Sequence, residues 1–428
     1  MSGNLQERLS RIAALKPLSR SNPVERNTDE RGNTLATIGA EVGRNRYGEY
    51  LIARQWHARP EVCETSAEVL RLLLPVAEER VERTIRHAAD PGKWLFLDTE
   101  TTGLAGGTGT YAFLVGLAWW ESGGIQIEQL FMRDHDEEHS ILLELAHRLN
   151  ERPVLVTFNG KCFDWPLLQN RFRMTRQIAL PELAAHLDFL HPARQLWRLQ
   201  FNSMRLADLE RCVLGAESLD WSRREDIDSS RIPEYYFDFL RGGSAEGVAG
   251  VFRHNRMDLR GLAALAGRIL RTLANFESPV GDQAPLELYA ISRLLNRRGE
   301  RLKARRACER SLGEGLPEPI ARRARHELAR LAKRELDFGR AFELWNQLAD
   351  SSEASFEALE QLAIHYERRE HNYGEAARVS RLALAELRRA SRLGFTSNRD
   401  DRVSARLKQR LTRLEANTRP GAASWKHA

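Results

Sequence analysis

The four apolar residues Trp94–Leu97 run without a break into Asp98, Thr99 and Glu100. A short continuous apolar run bounded by polar turn residues predicts a buried strand. Side chains alternate along a strand, so Asp98 and Glu100 point to one face. Two carboxylates on one face of a buried strand end are costly to desolvate unless a cation lies between them. Mg²⁺ or Mn²⁺ suits such oxygen donors. A single Asp at a strand end is an ordinary solvated turn; the whole string from Phe96 to Leu104, with its two spaced acids, points to metal chemistry.

Two further segments repeat the pattern of an acid delivered by an apolar element. Val154–Phe158 predicts a second buried strand, followed by the turn residues Asn159 and Gly160, then Asp164 and a helix opening at Pro166. Alone, Asp164 reads as an acid placed at a helix start by the dipole. Phe252–Leu262 has helical spacing, with Leu259, Leu262 and Leu265 facing inward. His254 and Asp258 are four apart and therefore share a helical face.

Around these segments the chain alternates strand and helix signals. Tyr50–Ala53, Tyr111–Trp120 and Ile125–Met132 predict strands, and Ser140–Leu149 a helix. Ala67–Ile85 has an apolar helical face interrupted by Pro75, which predicts a kink or a break. The β-β-β-α-β-α order beginning at Trp94 predicts an α/β fold, a mixed sheet flanked by helices. From about Pro285 the pattern is all helical. A Gly–x–Ala turn recurs at Gly339 and Gly374, with a related turn at Gly299, at spacings near those of tetratricopeptide-like helix pairs. The expected organisation is a mobile leader at 1–45 with a short amphipathic helix near Leu5–Leu15, and a strand–helix lead-in at 46–89. A catalytic domain at 90–276, helical repeats at 285–396 and a charged, fraying tail at 397–428 follow.

Taken together, the three acid-bearing segments resemble the DEDD superfamily of 3′–5′ exonucleases, which share the ribonuclease-H-like fold. Asp98 and Glu100 match its DxE motif, Asn159, Phe163 and Asp164 its N-x₃-F-D motif, and Asp258 its last acid. The string from Asp98 to Trp119, and the His254–Leu262 block, look like the YprB-type ribonuclease-H-like domain. The resemblance covers about residues 90–275. It implies a 3′–5′ exonuclease in which Asp98, Glu100, Asp164 and Asp258 hold two Mg²⁺ or Mn²⁺ ions and His254 handles the proton of an attacking water. It also places Thr101, Thr102 and Asn159 on the substrate side. The implied substrate is a single-stranded 3′ end of DNA or RNA. One feature departs from the family: His254 stands four residues before Asp258, the spacing of members that carry tyrosine rather than histidine.

Other signals carry less. His135–His139 matches an H-x-x-E-H zinc pattern, but it straddles a strand end and a helix start, where acids are expected anyway. The glycine-rich Gly103–Gly109 segment joins strand to strand and lacks the following helix that a phosphate loop needs. Asp188 before Arg194, Arg198 and Arg205 reads as a structural ion pair. Arg223, Arg224 and Arg231 before Tyr235 and Tyr236 could grip a single strand or form a solvated loop. Cys63, Cys162, Cys212 and Cys308 are too dispersed for a CxxC metal site and read as isolated thiols. A net charge of +6 over 428 residues is only a mild bias toward polyanions. No apolar run is long enough for a membrane span and the N-terminus has no signal-peptide core, so the expected location is the cytoplasm. A different reading remains open, a nucleic-acid-binding interaction protein whose helical repeats act as a scaffold or hold a protein partner without catalysis.

Overall fold

The computed structural model describes residues 38–58, 65–74, 78–103, 109–216, 223–278, 283–350, 355–392 and 398–418. The expected leader helix near Leu5–Leu15, Pro75, Cys63, and the tip of the glycine-rich segment at 104–108 lie outside the described residues.

Among the described residues the sheet has seven strands in the order β1-β2-β5-β4-β3-β6-β7. The strands are β1 (Ala40–Asn45), β2 (Gly48–Ala58), β3 (Trp94–Thr101), β4 (Ala112–Glu121), β5 (Gly124–Phe131), β6 (Val154–Thr157) and β7 (Ala185–Asp188). The strands from β1 through β3 in that order pair antiparallel, and β3 pairs parallel with β6. A parallel pair needs a crossover. Helix α3 (Glu138–Glu151) supplies it between β5 and β6, and α4 (Asp164–Thr175) then leads toward β7. β4 is buried over nearly its whole length, which accounts for its unbroken apolar sequence in mid-sheet. The sheet is the mixed ribonuclease-H-like sheet expected from the sequence.

Two helices close one side of the site. They are α7 (Ile232–Leu240) and α8 (Ala245–Ala274). Tyr236 stacks on Phe113 with ring centroids 4.0 Å apart, and Phe131 meets both Tyr236 and Phe252 edge-on or tilted. These rings anchor both helices on β4 and β5. Buried Glu128 on β5 is matched by two guanidiniums, Arg54 Nε and Arg148 Nε, each at 2.8 Å. Without them its charge would carry the full cost of desolvation.

The described chain divides into two compact units. Among the described residues, the first takes in those within 38–58, 92–186 and 215–263, the second those within 65–91, 187–214 and 264–418. Among the described residues the second is helical apart from the end of β7, Leu187 and Asp188. It contains α1 (Ala67–Leu73), α2 (Glu78–Ala88), α5 (Leu190–Trp197), α6 (Leu206–Val213) and the consecutive helices α9 (Pro285–Arg297), α10 (Arg301–Gly313) and α11 (Glu318–Arg334). It continues through α12 (Phe338–Ala349), α13 (Phe356–Arg368), α14 (Tyr373–Arg392) and α15 (Asn398–Thr418). Each helix from α9 onward packs on the next. The interrupted Ala67–Ile85 segment forms two helices rather than one.

Three expected boundaries differ from this arrangement. Residues 40–45, expected in the leader, form edge strand β1, whose polar sequence hides it because an edge strand is mostly exposed. The expected lead-in at 46–89 is divided: β2 pairs with β5 inside the sheet, while α1 and α2 fall in the helical unit. Residues 187–214, expected in the catalytic domain, also belong to the helical unit, where Trp197 Nε1 donates to Glu287 Oε1 of α9 at 2.5 Å. The tail does not fray over 398–418. Val403, Leu407 and Leu414 are buried, and Arg406 pairs with Glu360 through both Nε (3.1 Å) and Nη2 (3.0 Å). Three apolar anchors among so many charges were too sparse a pattern to read as a packed helix. Leu407→Ala should therefore destabilise the helical unit by about 2–4 kcal/mol in urea unfolding; a change below about 0.5 kcal/mol would mean that α15 is not docked.

A carboxylate cluster at the end of the central strand

β3 pairs with β4 so that Asp98 lies opposite Gly116 and Glu100 opposite Leu114, with a register shift just after Glu100. The irregularity ends regular pairing where the acids emerge. Thr101 Oγ1 donates to Gly103 O at 3.0 Å, and Thr102 Oγ1 accepts from Tyr111 N at 3.0 Å. Both threonines, expected on the substrate side, thus tie the turn that follows the strand. Asn159 adopts φ +70°, a left-handed conformation that asparagine tolerates, and its carbonyl accepts from Cys162 N at 3.2 Å. This turn drops Asp164 at the start of α4. Thr99 Oγ1 donates to Asp164 Oδ1 at 2.5 Å and ties the second acid segment to the first. Phe163, beside Asp164, is 61% exposed.

Helix α8 runs continuously through His254 and Asp258, so their shared face is real. His254 Nε2 is 3.7 Å from Asp258 Oδ2. Its Nδ1 is 2.8 Å from Asp226 Oδ1, an acid that the sequence reading did not single out. Arg223 closes the circuit. Nη1 donates to Asp226 Oδ2 at 3.0 Å, and Nη2 donates to Asp258 Oδ1. The basic stretch that could have gripped a single strand is thus divided in role. Arg223 faces the acids. Arg231 lies over the ring of Tyr235, centroid distance 5.1 Å, and Tyr236 is fully buried and unavailable for base stacking.

Asn255 is a second missed residue. Its Nδ2 donates to Asp98 Oδ2 at 2.8 Å, while its Oδ1 accepts from Gln129 Nε2 at 2.9 Å. Gln129 also donates to Phe252 O at 2.8 Å, so this buried polar pair is satisfied on both sides. The amide of Asn255 fits only because position 116 is glycine; a Cβ there would overlap it. A glycine in mid-strand beside an Asn next to the motif histidine was the available signal.

The acids act on one another. Burial, with the charges of Asp258, Glu100 and Asp164, pushes the Asp98 carboxyl well above its usual range, against the hydrogen bond from Asn255. Burial also pushes Glu100 up to about 8, with His254 opposing and Asp258, Asp164 and Asp226 adding to the rise. For His254, burial alone would lower the pKa, but the Asp226 hydrogen bond and the charges of Asp258 and Glu100 raise it to about 9. Burial likewise opposes the ionised form of Asp226, yet the His254 hydrogen bond and the positive charges of His254 and Arg223 hold it below its usual value. Among the described residues no three acidic, histidine or cysteine side chains enclose an ion as they stand. Asp258 faces Arg223, Asp164 faces Thr99, and Asp98 faces Asn255. The donor set nevertheless fits a divalent ion, because buried oxygens of like charge are what a hard cation relieves.

The remaining signals resolve as structural. Glu137 pairs with Arg133, and Glu138, which opens α3, pairs with Arg171, so two of the three acids of the H-x-x-E-H string are held in ion pairs. Asp188 Oδ1 accepts from Leu190 N, the first residue of α5, at 3.1 Å. Cys162, Cys212 and Cys308 are free thiols. No helix among the described residues is long and apolar enough to cross a membrane.

Comparison with known proteins bears on the fold. Residues 95–270 match a family profile of the RNase_H superfamily, RNase_H_2. The chain is 28% identical over 295 residues to "Uncharacterized protein YprB" of Bacillus subtilis (strain 168), an alignment covering 68% of this chain and 69% of that protein. The mixed sheet and this match agree on a ribonuclease-H-like fold.

The raised pKa values have a direct consequence for stability. A carboxyl raised on folding stabilises the protein below its unfolded value and loses that contribution as pH climbs through the folded one. For Glu100 the window runs from 4.5 to about 8, and for His254, also raised, from 6.5 to about 9. In EDTA the thermal midpoint should fall from about pH 6 to about pH 9. Glu100→Gln should recover roughly 2–8 °C of that fall. Identical pH profiles for the two proteins would show that Glu100 is not held in a repelling cluster.

Proposed function

We propose that the chain is a metal-dependent 3′–5′ exonuclease that hydrolyses phosphodiester bonds at single-stranded ends of DNA or RNA. The observation that carries this reading is the convergence of carboxylates from three separate elements, in the order the superfamily uses, on Asp98 and Glu100, whose pKa values burial and the neighbouring acids raise. A domain that only bound nucleic acid would gain nothing from a self-repelling acidic cluster facing a polyanion.

In this reading Asp98, Glu100, Asp164 and Asp258 would hold two divalent ions, which supply a nucleophilic hydroxide near neutral pH and charge for the leaving 3′ oxygen. The chain's own residues supply the rest. Asn255 and Thr99 orient Asp98 and Asp164. Asp226 fixes the imidazole of His254 through Nδ1, which turns Nε2 toward Asp258 and the water to be deprotonated. With Asp258 and Glu100 bare, His254 is held protonated; neutralising those two charges removes part of what holds its pKa up and brings it toward the range of a general base. Arg223 would leave Asp258 and face the scissile phosphate, where a guanidinium binds well. The exposed ring of Phe163 offers a stacking surface for the terminal base. The consecutive helix pairs from α9 onward read as tetratricopeptide-like repeats, which present extended surfaces to partners.

One observation favours the second reading, a nucleic-acid-binding scaffold without catalysis: Arg223 already occupies the cation's place on Asp258. A nuclease assay separates the two. End-labelled single-stranded DNA and RNA incubated with Mg²⁺ or Mn²⁺ should be shortened stepwise from the 3′ end, and Asp98→Ala should abolish this. His254→Ala should lower kcat by roughly 10²–10⁴ and Asp226→Ala by roughly tenfold or more, with metal affinity nearly unchanged. Substrates left intact under every metal condition would support the scaffold.

A further inference from the structure

The helical unit carries two adjoining depressions, of about 420 Å³ and about 250 Å³. Their walls share Arg330 and Arg334 of α11, so the two flank this helix and make up one grooved surface. The lining comes chiefly from α9, α11, α13 and α15, alternate members of the helix array. Stacked helix pairs place alternate helices on one face, the face such arrays use for extended ligands.

The groove is cationic beyond its internal pairing. It is lined by Arg293, Arg297, Arg330, Lys333, Arg334 and Arg406, against the acids Glu327, Glu357 and Glu360. Each acid has an arginine partner: Arg293 with Glu327 at 3.8 Å, Arg330 with Glu357 at 3.0 Å, and Arg406 with Glu360 at 3.0 Å. That leaves Arg297, Lys333 and Arg334 without an acidic partner among the described residues, and all three are exposed. Arg297 and the pair Lys333 and Arg334 sit in the last turns of α9 and α11, where the helix dipole favours a cation that has no counter-ion. Crowding is also felt: burial first, then the charge of Arg293, lowers the pKa of Arg297.

We propose that this groove binds the sugar–phosphate backbone of a single-stranded polynucleotide. A lone phosphate or small anion would need one focused pocket, whereas these cations are spread over two helices. Arg297 of α9 lines one depression, Lys333 of α11 the other and Arg334 both, so the unpaired cations stand at separate points along the surface, as the spaced phosphates of an extended strand require. Trp345 is buried, with the Lys333 ammonium 5.8 Å from its ring centroid, so it offers no face to a base. Recognition is therefore through charge and without preference for sequence. The groove lies wholly on the helical unit's own residues, and the inference stands whether or not the carboxylate cluster is catalytic.

The test uses the full-length protein in EDTA, which prevents metal-dependent cleavage. Fluorescent oligothymidylate and oligouridylate of about 30 nucleotides, a length that exceeds the usual site size, are titrated by anisotropy over a range of salt. The triple variant Arg297→Glu, Lys333→Glu, Arg334→Glu should weaken binding to both by roughly tenfold or more and reduce the slope of log K against log salt by about 2, the value for three lost phosphate contacts. Hydrolysis of a short nucleotide ester in Mn²⁺ should be unchanged, so failure of the nuclease reading would show in that arm alone. Circular dichroism checks that the variant is folded; if it is not, the neutral pair Arg297→Gln and Arg334→Gln carries the test, with a slope change of about 1.4. Unchanged affinity and slope in a folded variant would overturn the proposal. So would loss of binding to a polyglutamate peptide with oligonucleotide binding intact, which would assign the groove to an acidic protein partner.

Discussion

Four carboxylates of like charge, brought together in a partly buried site, are the constraint on which the α/β unit depends. Left alone they repel, and burial compounds the cost, as the raised pKa values of Asp98 and Glu100 record. The fold answers with directed contacts. Asn255 donates to Asp98, Thr99 to Asp164, and the guanidinium of Arg223 sits on Asp258. None of these neutralises the whole cluster, which leaves a field that favours divalent cations.

The supporting residues show how the site is built outward from its carboxylates. Asn255 reaches Asp98 because Gly116 leaves room for its amide, and Gln129 occupies its other side. A side chain at position 116 would press on the helix that also carries His254 and Asp258. Strand β4, helix α8 and the end of β3 are thus coupled through one buried amide. Asp226 and Arg223 do the same for His254 and Asp258, from the segment that precedes α7 in the chain.

Much of this was legible in the sequence, and the reasons for the rest are physical. The strand bearing Asp98 and Glu100, the turn before Asp164 and the helix bearing His254 and Asp258 each announce themselves through a local apolar pattern ending in an acid. Asp226 and Arg223 carry no such local pattern. Their role is set by proximity across 28 and 35 residues of chain, which periodicity does not encode. Strand β1 and helix α15 were hidden for a related reason. An edge strand and a helix with three buried anchors each expose most of their residues, so their sequences look like solvated loops. The helical character of the C-terminal region was legible because its apolar faces are dense from α9 through α14.

The central claim is that these four carboxylates form a binding site for paired divalent ions. Anomalous diffraction at the manganese edge, from crystals soaked with Mn²⁺ and a nucleoside monophosphate, tests it most directly. The account predicts two peaks roughly 3.5–4 Å apart. They should lie among Asp98, Glu100, Asp164 and Asp258, with the Arg223 guanidinium displaced from Asp258. Saturating Mn²⁺ with no peak among these carboxylates, and Arg223 still in place, would contradict it.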